Sequence, residues 1–229
     1  MSTRDADLLH RLRHIIDQKG LDTTPGPVED DPHPDLPGHP EFHHRQRVNS
    51  ALSRFETTTP PRYLTASTEH PQVCDWADRV AADPTQAPSL MLWGGTGTGK
   101  THAAYGAVRR IALKGPARFA FVATTFPDLY AALRPGAATD EERERHLRRV
   151  LNVPLLLLDD LGTTKSSAWT EEVTYRIVNQ RYNRMLPTLI TSNPPPAALP
   201  ELLGDRIASR LIEMTTRVEM NGQDRRLRR

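Results

Sequence analysis

The stretch that most constrains the fold is Leu90–His102, which reads Leu-Met-Leu-Trp-Gly-Gly-Thr-Gly-Thr-Gly-Lys-Thr-His. Gly94 to Thr101 match the phosphate-loop pattern G-x-x-x-x-G-K-[S/T] at every fixed position, between a short apolar run and an alanine-rich segment of helical pattern. Glycines allow several backbone N–H groups to turn toward a polyphosphate, and the following helix presents its positive N-terminus to the same group. The stretch therefore predicts a strand, a nucleotide-binding loop and a helix, rather than a glycine-rich turn that precedes a lysine by chance.

Two side chains of this loop add chemistry that backbone N–H groups lack. The ammonium group of Lys100 can reach the outer phosphates of a nucleotide, and the hydroxyl of Thr101 can bind the Mg²⁺ that bridges them. The residues predicted to contact the nucleotide are Gly94, Gly95, Thr96, Gly97, Thr98, Gly99, Lys100, Thr101 and His102.

A second part of the site is predicted after Leu155–Leu158, a run of four leucines typical of a strand buried on both faces of a parallel sheet. The run ends in Asp159 and Asp160. A carboxylate at the carboxyl end of a central strand lies beside bound phosphates, so we predict that Asp159 holds Mg²⁺ through water. Asp160 can polarise the attacking water, although a glutamate is commoner there and would reach further. The alternative for the pair is a solvated turn.

Three polar side chains later in the sequence are further candidates. Asn193 ends the next predicted strand, where its amide can orient water or contact the γ-phosphate, or can instead cap a turn before Pro194. Arg206 and Arg210 lie four residues apart on one face of a predicted helix. An arginine delivered by a neighbouring subunit can stabilise the charge of phosphoryl transfer, whereas spacing alone favours an ion pair on a solvated face.

Strands and helices alternate along residues 57–229, and the length of 229 residues has room for one full α/β domain with an appendage. The alternation predicts a doubly wound parallel sheet. The predicted strands are Ser89–Trp93, Arg118–Ala123, Leu155–Leu158, Thr188–Ser192 and Arg217–Met220. The predicted helices are Pro71–Ala82, Thr101–Lys114, Phe126–Leu133, Asp140–Val150, Thr170–Leu186 and Asp205–Met214.

Two segments precede this domain. Residues 5–19 carry an apolar stripe at helical spacing and Gly20 is placed to end a helix, so we predict an amphipathic helix within residues 1–20 that covers its own domain or a partner protein. Residues 21–56 are predicted to form a linker rich in proline and histidine. Interleaved prolines and the lack of a cysteine ligand favour a solvated loop over a zinc site there. The histidines concerned are His33, His39, His43 and His44.

The composition adds the expected cellular setting. A net charge of +2 is too small to indicate nucleic-acid binding by itself. The single cysteine, Cys74, excludes a disulfide framework and a cysteine-based zinc site, and it suits a reducing compartment. No apolar run approaches the roughly 20 residues that span a bilayer, and the first residues lack the apolar core of a signal peptide. We expect a soluble, cytoplasmic protein without a membrane partner.

From about Pro60 to Arg226 the sequence resembles the DnaC/IstB-type AAA+ ATPases, a family of bacterial and phage replicative-helicase loaders and transposon ATPase subunits. Beside the phosphate loop, the resemblance rests on the ordered motifs Leu155–Gly162, Arg181-Tyr182, Leu186–Asn193 and Arg206–Leu211. It implies Walker A roles for Lys100 and Thr101, Walker B roles for Asp159 and Asp160, a sensor 1 role for Asn193, an arginine finger at Arg210 and a helper role for Arg206.

The resemblance further implies ATP with Mg²⁺ as ligand, rather than GTP, and a homo-oligomer with ATP at its subunit interfaces. It also implies single-stranded DNA in a central groove, held by phosphate contacts that are salt-sensitive and independent of sequence. Basic residues that could serve that groove are Arg109, Arg110, Lys114 and Arg134.

Two departures limit what the resemblance implies. The sequence ends soon after the last predicted strand, so a helical lid with its own sensor arginine is not expected, and the N-terminal segment lacks the cysteines with which some loaders bind zinc. The expected function is loading of a DnaB-type replicative helicase, and the first alternative is regulation of a transposase. A small P-loop kinase is disfavoured because no lid insert separates the two Walker motifs. A non-hydrolysing ATP-binding adaptor stays open because Asp160 is shorter than a glutamate.

Overall fold

The computed structural model describes residues 14–20 and 33–222. The chain divides into two compact units, Met1–Phe42 and His43–Arg229. The helices are α1 Pro40–Thr58, α2 Pro71–Ala82, α3 Lys100–Leu113, α4 Phe126–Leu133, α5 Asp140–Asn152, α6 Ala168–Asn183, α7 Leu199–Leu203 and α8 Asp205–Met214, with 3₁₀ turns at Pro61–Tyr63 and Pro196–Ala198. The strands are β1 Ser89–Trp93, β2 Phe121–Thr125, β3 Leu155–Leu161, β4 Thr188–Ser192 and β5 Thr215–Glu219.

The five strands form one parallel sheet in the order β2-β3-β4-β1-β5. Successive side chains of a strand point to opposite faces, and those of β1 divide accordingly: Leu90 and Leu92 pack among residues of α1–α3, whereas Met91 packs among residues of α4–α8. The sheet is therefore covered by helices on both faces, which confirms the predicted doubly wound α/β fold.

The predicted elements of residues 57–222 are all present, and their bounds differ by a few residues. The second strand is displaced by two to three residues, since it runs over Phe121–Thr125 and not over Arg118–Ala123. Phe121 pairs with Leu155, the first residue of β3, and Thr125 pairs with Asp159, so β2 lies beside the first five residues of β3.

Residues 40–56 were predicted as linker, and this prediction is wrong, because they belong to helix α1. Pro40 is tolerated as the first residue of a helix, and no further proline occurs before Pro60. Within the helix Ala51 and Phe55 are buried, and the Phe55 ring lies 6.0 Å from that of Phe121 on β2. The helix is thus part of the apolar core on one face of the sheet.

Only part of the predicted N-terminal segments can be compared with the structure. Residues 14–18 are helical, and Gly20 has a φ of 58°, which suits a glycine that ends a helix. The rest of the predicted helix, residues 1–13, and residues 21–32 of the predicted linker lie outside the described residues. Over residues 14–20 and 33–222, no three histidine, cysteine or acidic side chains are grouped so as to hold a metal. No helix in these ranges is long and apolar enough to cross a membrane.

A buried cation holds the helices against the sheet behind the site. Arg181 of α6 is 1% exposed, and its guanidinium donates to the carbonyl oxygens of Val150 (3.0 Å), Val153 (2.9 Å) and Pro187 (2.8 Å) and to Thr188 Oγ1 (2.8 Å). These contacts tie the end of α5 and the start of β4 to α6. Burial lowers the pKa of Arg181 to about 9, so the group is still protonated at neutral pH.

His146 of α5 gives a pH-dependent prediction. Burial, and secondly the charge of Arg149, lower the pKa of His146 below its ordinary 6.5. His146 therefore binds a proton more weakly in the folded chain than in the unfolded chain. As a result the free energy of unfolding falls as the pH drops from 6.5 toward the folded pKa. We expect His146→Leu to lose less stability than the wild type between about pH 8 and pH 5, measured by urea unfolding. Parallel losses in the two proteins would contradict the prediction.

Candidate nucleotide-binding site

The phosphate loop follows the carboxyl end of β1 and leads directly into α3. Gly94, Gly97 and Gly99 have φ values of 147°, 81° and 91°, a region that residues with a side chain rarely adopt. At Gly94 a Cβ atom would also lie only 2.5 Å from the carbonyl oxygen of Met220. The glycines of the pattern therefore allow the backbone conformation that was predicted for the loop. Helix α3 begins at Lys100, with its N-terminus toward the loop.

Lys100 is buried inside this loop. Its Nζ donates to the carbonyl oxygens of Gly94 (2.9 Å) and Gly95 (2.8 Å), and Thr98 Oγ1 donates to the Gly95 carbonyl oxygen as well (2.9 Å). The ammonium group is thus held against the backbone of the loop that a polyphosphate would contact.

The two predicted magnesium ligands are in contact. Thr101 Oγ1 donates to Asp159 Oδ1 at 3.1 Å, and the same carboxylate oxygen accepts a hydrogen bond from Thr191 Oγ1. Asp159 is 8% exposed, and burial raises its pKa above the ordinary value, while the two hydroxyl donors oppose that rise. A hydroxyl beside a carboxylate is the kind of oxygen ligand pair that Mg²⁺ prefers, so these residues fit the ion.

Asp160 has an unusual backbone for a residue in a strand. Its φ is 61°, and its N–H donates to the side chain of Thr191 at 2.9 Å instead of to a strand carbonyl. The pairing of β3 with β4 is irregular here, since Leu158 pairs with Ile190 but Leu161 with Ser192. One additional residue is therefore accommodated in β3, which is the definition of a β-bulge.

An open cavity of about 720 Å³ lies over the loop. This volume falls in the range of about 300–1,000 Å³ that is usual for small-molecule sites. The cavity brings together most of the predicted site residues, from the phosphate loop and from the ends of β3 and β4. Its lining residues are Arg62, Tyr63, Thr96, Gly97, Gly99, Lys100, Thr101, His102, Asp160 and Asn193.

Arg62 and Tyr63 were not predicted as site residues. They belong to a 3₁₀ turn, and the Tyr63 ring is stacked on that of Tyr105 of α3, with 4.6 Å between centroids and 6° between planes. Burial, followed by the nearby Asp159 and Tyr63, raises the pKa of Tyr105 to about 12. Gly106, a glycine inside a helix, is a sequence signal for a close backbone contact with the segment after this turn, because a Cβ there would lie 2.5 Å from the backbone of Ser67.

The predicted arginines lie apart from the residues that line the cavity. Arg206 is exposed on α8, and Arg210 is engaged with α6 of its own chain. Arg210 Nε donates to Asn179 Oδ1 at 2.9 Å, and its guanidinium carbon lies 5.2 Å from the centre of the Tyr175 ring. The catalytic role of both arginines stays a prediction.

The four residues suggested for DNA contact differ in their surroundings. Arg110 and Lys114 pair with Asp78 of α2, at 2.7 Å and 3.5 Å, and the bond from Arg110 is the main cause of a lowered pKa of that carboxyl. Arg109 is half-buried on α3, and Arg134 is exposed after α4. DNA contact by these residues is likewise still a prediction.

Comparison with protein families gives a match over most of the chain. The model of the family described as IstB-like ATP binding protein matches residues 68–229. The putative ATP-binding protein Rv3427c in an insertion sequence of Mycobacterium tuberculosis is 25% identical over 257 aligned residues, which cover 100% of this chain and 97% of that protein.

Helicase loaders are also similar to this chain. The replicative helicase loader DnaI of Bacillus subtilis is 25% identical over 150 residues, which cover 60% of this chain and 47% of the loader. The chain spans about half the length of the helicase loaders that it matches. Among solved structures, the crystal structure of the DnaC helicase loader has a TM-score of 0.61 and 28% identity, and the match covers 71% of this chain and 100% of that one.

Proposed function

The chain belongs to the family of IstB-like ATP-binding proteins, and on this premise we propose that it is an ATPase that assembles on single-stranded DNA and loads a DnaB-type replicative helicase. The observation that best supports hydrolysis is the contact of Thr101 with Asp159 beside a cavity that Asp160 and Asn193 also line. The similarity to helicase loaders supports the choice of partner.

The proposed chemistry follows from where each side chain lies. The loop N–H groups and the Lys100 ammonium bind the phosphates, and Thr101 and Asp159 would hold Mg²⁺, which would supply neutralisation of the phosphate charge. Asp160 accepts the proton of the attacking water, and Asn193 orients that water. Asp159, Asp160 and Asn193 lie at the carboxyl ends of β3 and β4, and Lys100 and Thr101 lie in the first turn of α3, so the ends of two strands and the start of one helix position these groups.

A second candidate function is regulation of an insertion-sequence transposase. It is favoured by the similarity to Rv3427c, which extends over the whole chain, whereas the match to DnaI covers 60% of it. The ATP chemistry would be the same, and only the protein partner would differ. Purified DnaB-type helicase and purified transposase, compared in ATP-dependent binding to this chain, would separate the two.

The test of the proposed function is ATP hydrolysis measured across protein concentration, with and without single-stranded DNA, with Lys100→Ala as the inactive reference. We expect turnover per subunit to rise steeply with concentration and to respond to DNA, because an arginine acting on a neighbouring subunit requires assembly. Arg210→Ala should lower turnover by about 10³-fold, the low end of the effect of such arginines, with ATP affinity nearly unchanged. Activity that is independent of concentration and DNA would favour a kinase or an adaptor instead.

A mixing experiment distinguishes a role of Arg210 in the neighbouring site from a role in its own chain, where it contacts Tyr175 and Asn179. Arg210→Ala keeps its carboxylates, and Asp159→Asn keeps its arginine. If the arginine acts across an interface, mixing the two inactive variants restores part of the activity. Exposed Arg176 on α6 provides the matched control, since Arg176→Ala should behave as the wild type.

A further inference from the structure

The β-bulge in β3 leaves two acidic residues opposite a single residue of β4. From Leu158 to Leu161 β3 advances three residues, while β4 advances two, from Ile190 to Ser192. Asp159 and Asp160 therefore both face Thr191, whose side chain bonds to each of them. The sequence motif Leu186–Asn193 gave a role to Asn193 alone and none to this threonine.

We propose that Thr191 is a positioning residue for ATP hydrolysis, whose hydroxyl holds both Walker B aspartates in their working geometry. This inference rests on the proposed function. Thr191 belongs to the strand that ends one residue before Asn193, so the same strand supports three of the proposed reacting groups.

The hydroxyl is used as donor and as acceptor at once. Its single proton is donated to Asp159 Oδ1, and a lone pair accepts the N–H of Asp160. Because Thr191 is 0% exposed, solvent has no access to replace either bond. Loss of the hydroxyl would leave the carboxylate of Asp159 with Thr101 as its remaining hydroxyl donor, and the Asp160 N–H without this acceptor.

The bond to Asp160 also has a consequence for the cavity. In a regular strand consecutive side chains point to opposite faces. The bulge, with a φ of 61° at Asp160, interrupts this alternation, so that Asp159 contacts Thr101 while Asp160 lines the cavity. A positive φ is unfavourable for a residue with a side chain, and the hydrogen bond that the Asp160 N–H donates to Thr191 Oγ1 helps to hold it.

The test compares four proteins: wild type, Thr191→Ser, Thr191→Ala and Thr191→Val. Serine and alanine lose the same methyl group and differ only in the hydroxyl, while valine keeps the shape of threonine. We expect Ala and Val to lower kcat by about 10–100-fold and to raise the Mg²⁺ concentration for half-maximal activity, with the KM for ATP changed by less than about threefold. Thr191→Ser should stay within about threefold of the wild type.

A second measurement does not depend on activity. Amide hydrogen exchange of Asp160 in the nucleotide-free protein should be about tenfold faster in Thr191→Ala and Thr191→Val than in the wild type, and near the wild-type rate in Thr191→Ser. Folded Ala and Ser variants with equal kcat and equal exchange would overturn the proposal. If the wild type hydrolyses no ATP, the proposed function fails, whereas the exchange rates still test the bond.

Discussion

Asp159→Asn should lower ATP turnover by about 10²–10³-fold and leave the fold intact. The asparagine oxygen can still accept the hydrogen bonds that Thr101 and Thr191 donate, so the local structure is preserved. What is lost is the negative charge beside the Thr101 hydroxyl, and with it the attraction for Mg²⁺. The measurement is steady-state hydrolysis at several Mg²⁺ concentrations, with ATP binding followed separately.

The same substitution should have the opposite effect on stability. Burial raises the pKa of Asp159, which means that the charged form is disfavoured in the folded, nucleotide-free protein. Above that folded pKa the wild type carries this cost and Asp159→Asn does not, so the variant should unfold at an equal or higher temperature at neutral pH. The difference should shrink as the pH falls through the folded pKa toward 3.8, the ordinary value of aspartate.

Asp75→Asn is the matched control for both measurements, because Asp75 is an exposed residue of α2 whose partner is Arg79. It should hydrolyse ATP and unfold as the wild type does. Near-normal turnover of Asp159→Asn would remove Asp159 from the proposed chemistry, and a large loss of its stability would show that the charge itself is required for folding.

Arg181→Met should lower the free energy of unfolding by about 3–5 kcal/mol. Methionine fills part of the same volume, but it leaves the carbonyl oxygens of Val150, Val153 and Pro187 in the interior without the donors they have now. Arg181→Lys keeps the charge and loses the planar fork, so its loss should be smaller. Chemical denaturation monitored by circular dichroism gives the values.

Arg184→Met is the control for Arg181→Met, since Arg184 follows three residues later and is exposed, with Asn152 as its partner. It should change the free energy of unfolding by less than about 0.5 kcal/mol. Equal stabilities of the two variants would mean that the buried carbonyl groups do not depend on Arg181.

The parts of the site that were predictable from the sequence are those that local chemistry dictates. The glycines of the phosphate loop adopt backbone angles that other residues avoid, and the leucines of β3 are buried on both faces, so pattern and structure agree. The helices and strands predicted between Ser89 and Ser192 were therefore correct in type and in order.

The parts that were missed depend on contacts between distant segments. The bulge at Asp160 depends on pairing with β4, whose Thr191 lies 31 residues further along the chain. The local sequence Asp-Asp-Leu-Gly does not indicate this pairing. Tyr63 reaches the cavity because its turn packs on α3, which is a tertiary effect. Helix α1 was missed because the proline-rich composition before Pro40 was extended into residues that lack proline.

The strand order has a consequence for the way the protein is made. Strand β1, which carries the phosphate loop, lies between β4 and β5, and Thr188, the first residue of β4, is 99 residues beyond Ser89. On the ribosome the loop is synthesised long before either neighbour of its strand, and pairing over such separations is slow. The candidate site, whose last residue in the sequence is Asn193, is therefore incomplete until β4 has been synthesised, so a bound nucleotide can stabilise the later stages of folding and not the earliest ones.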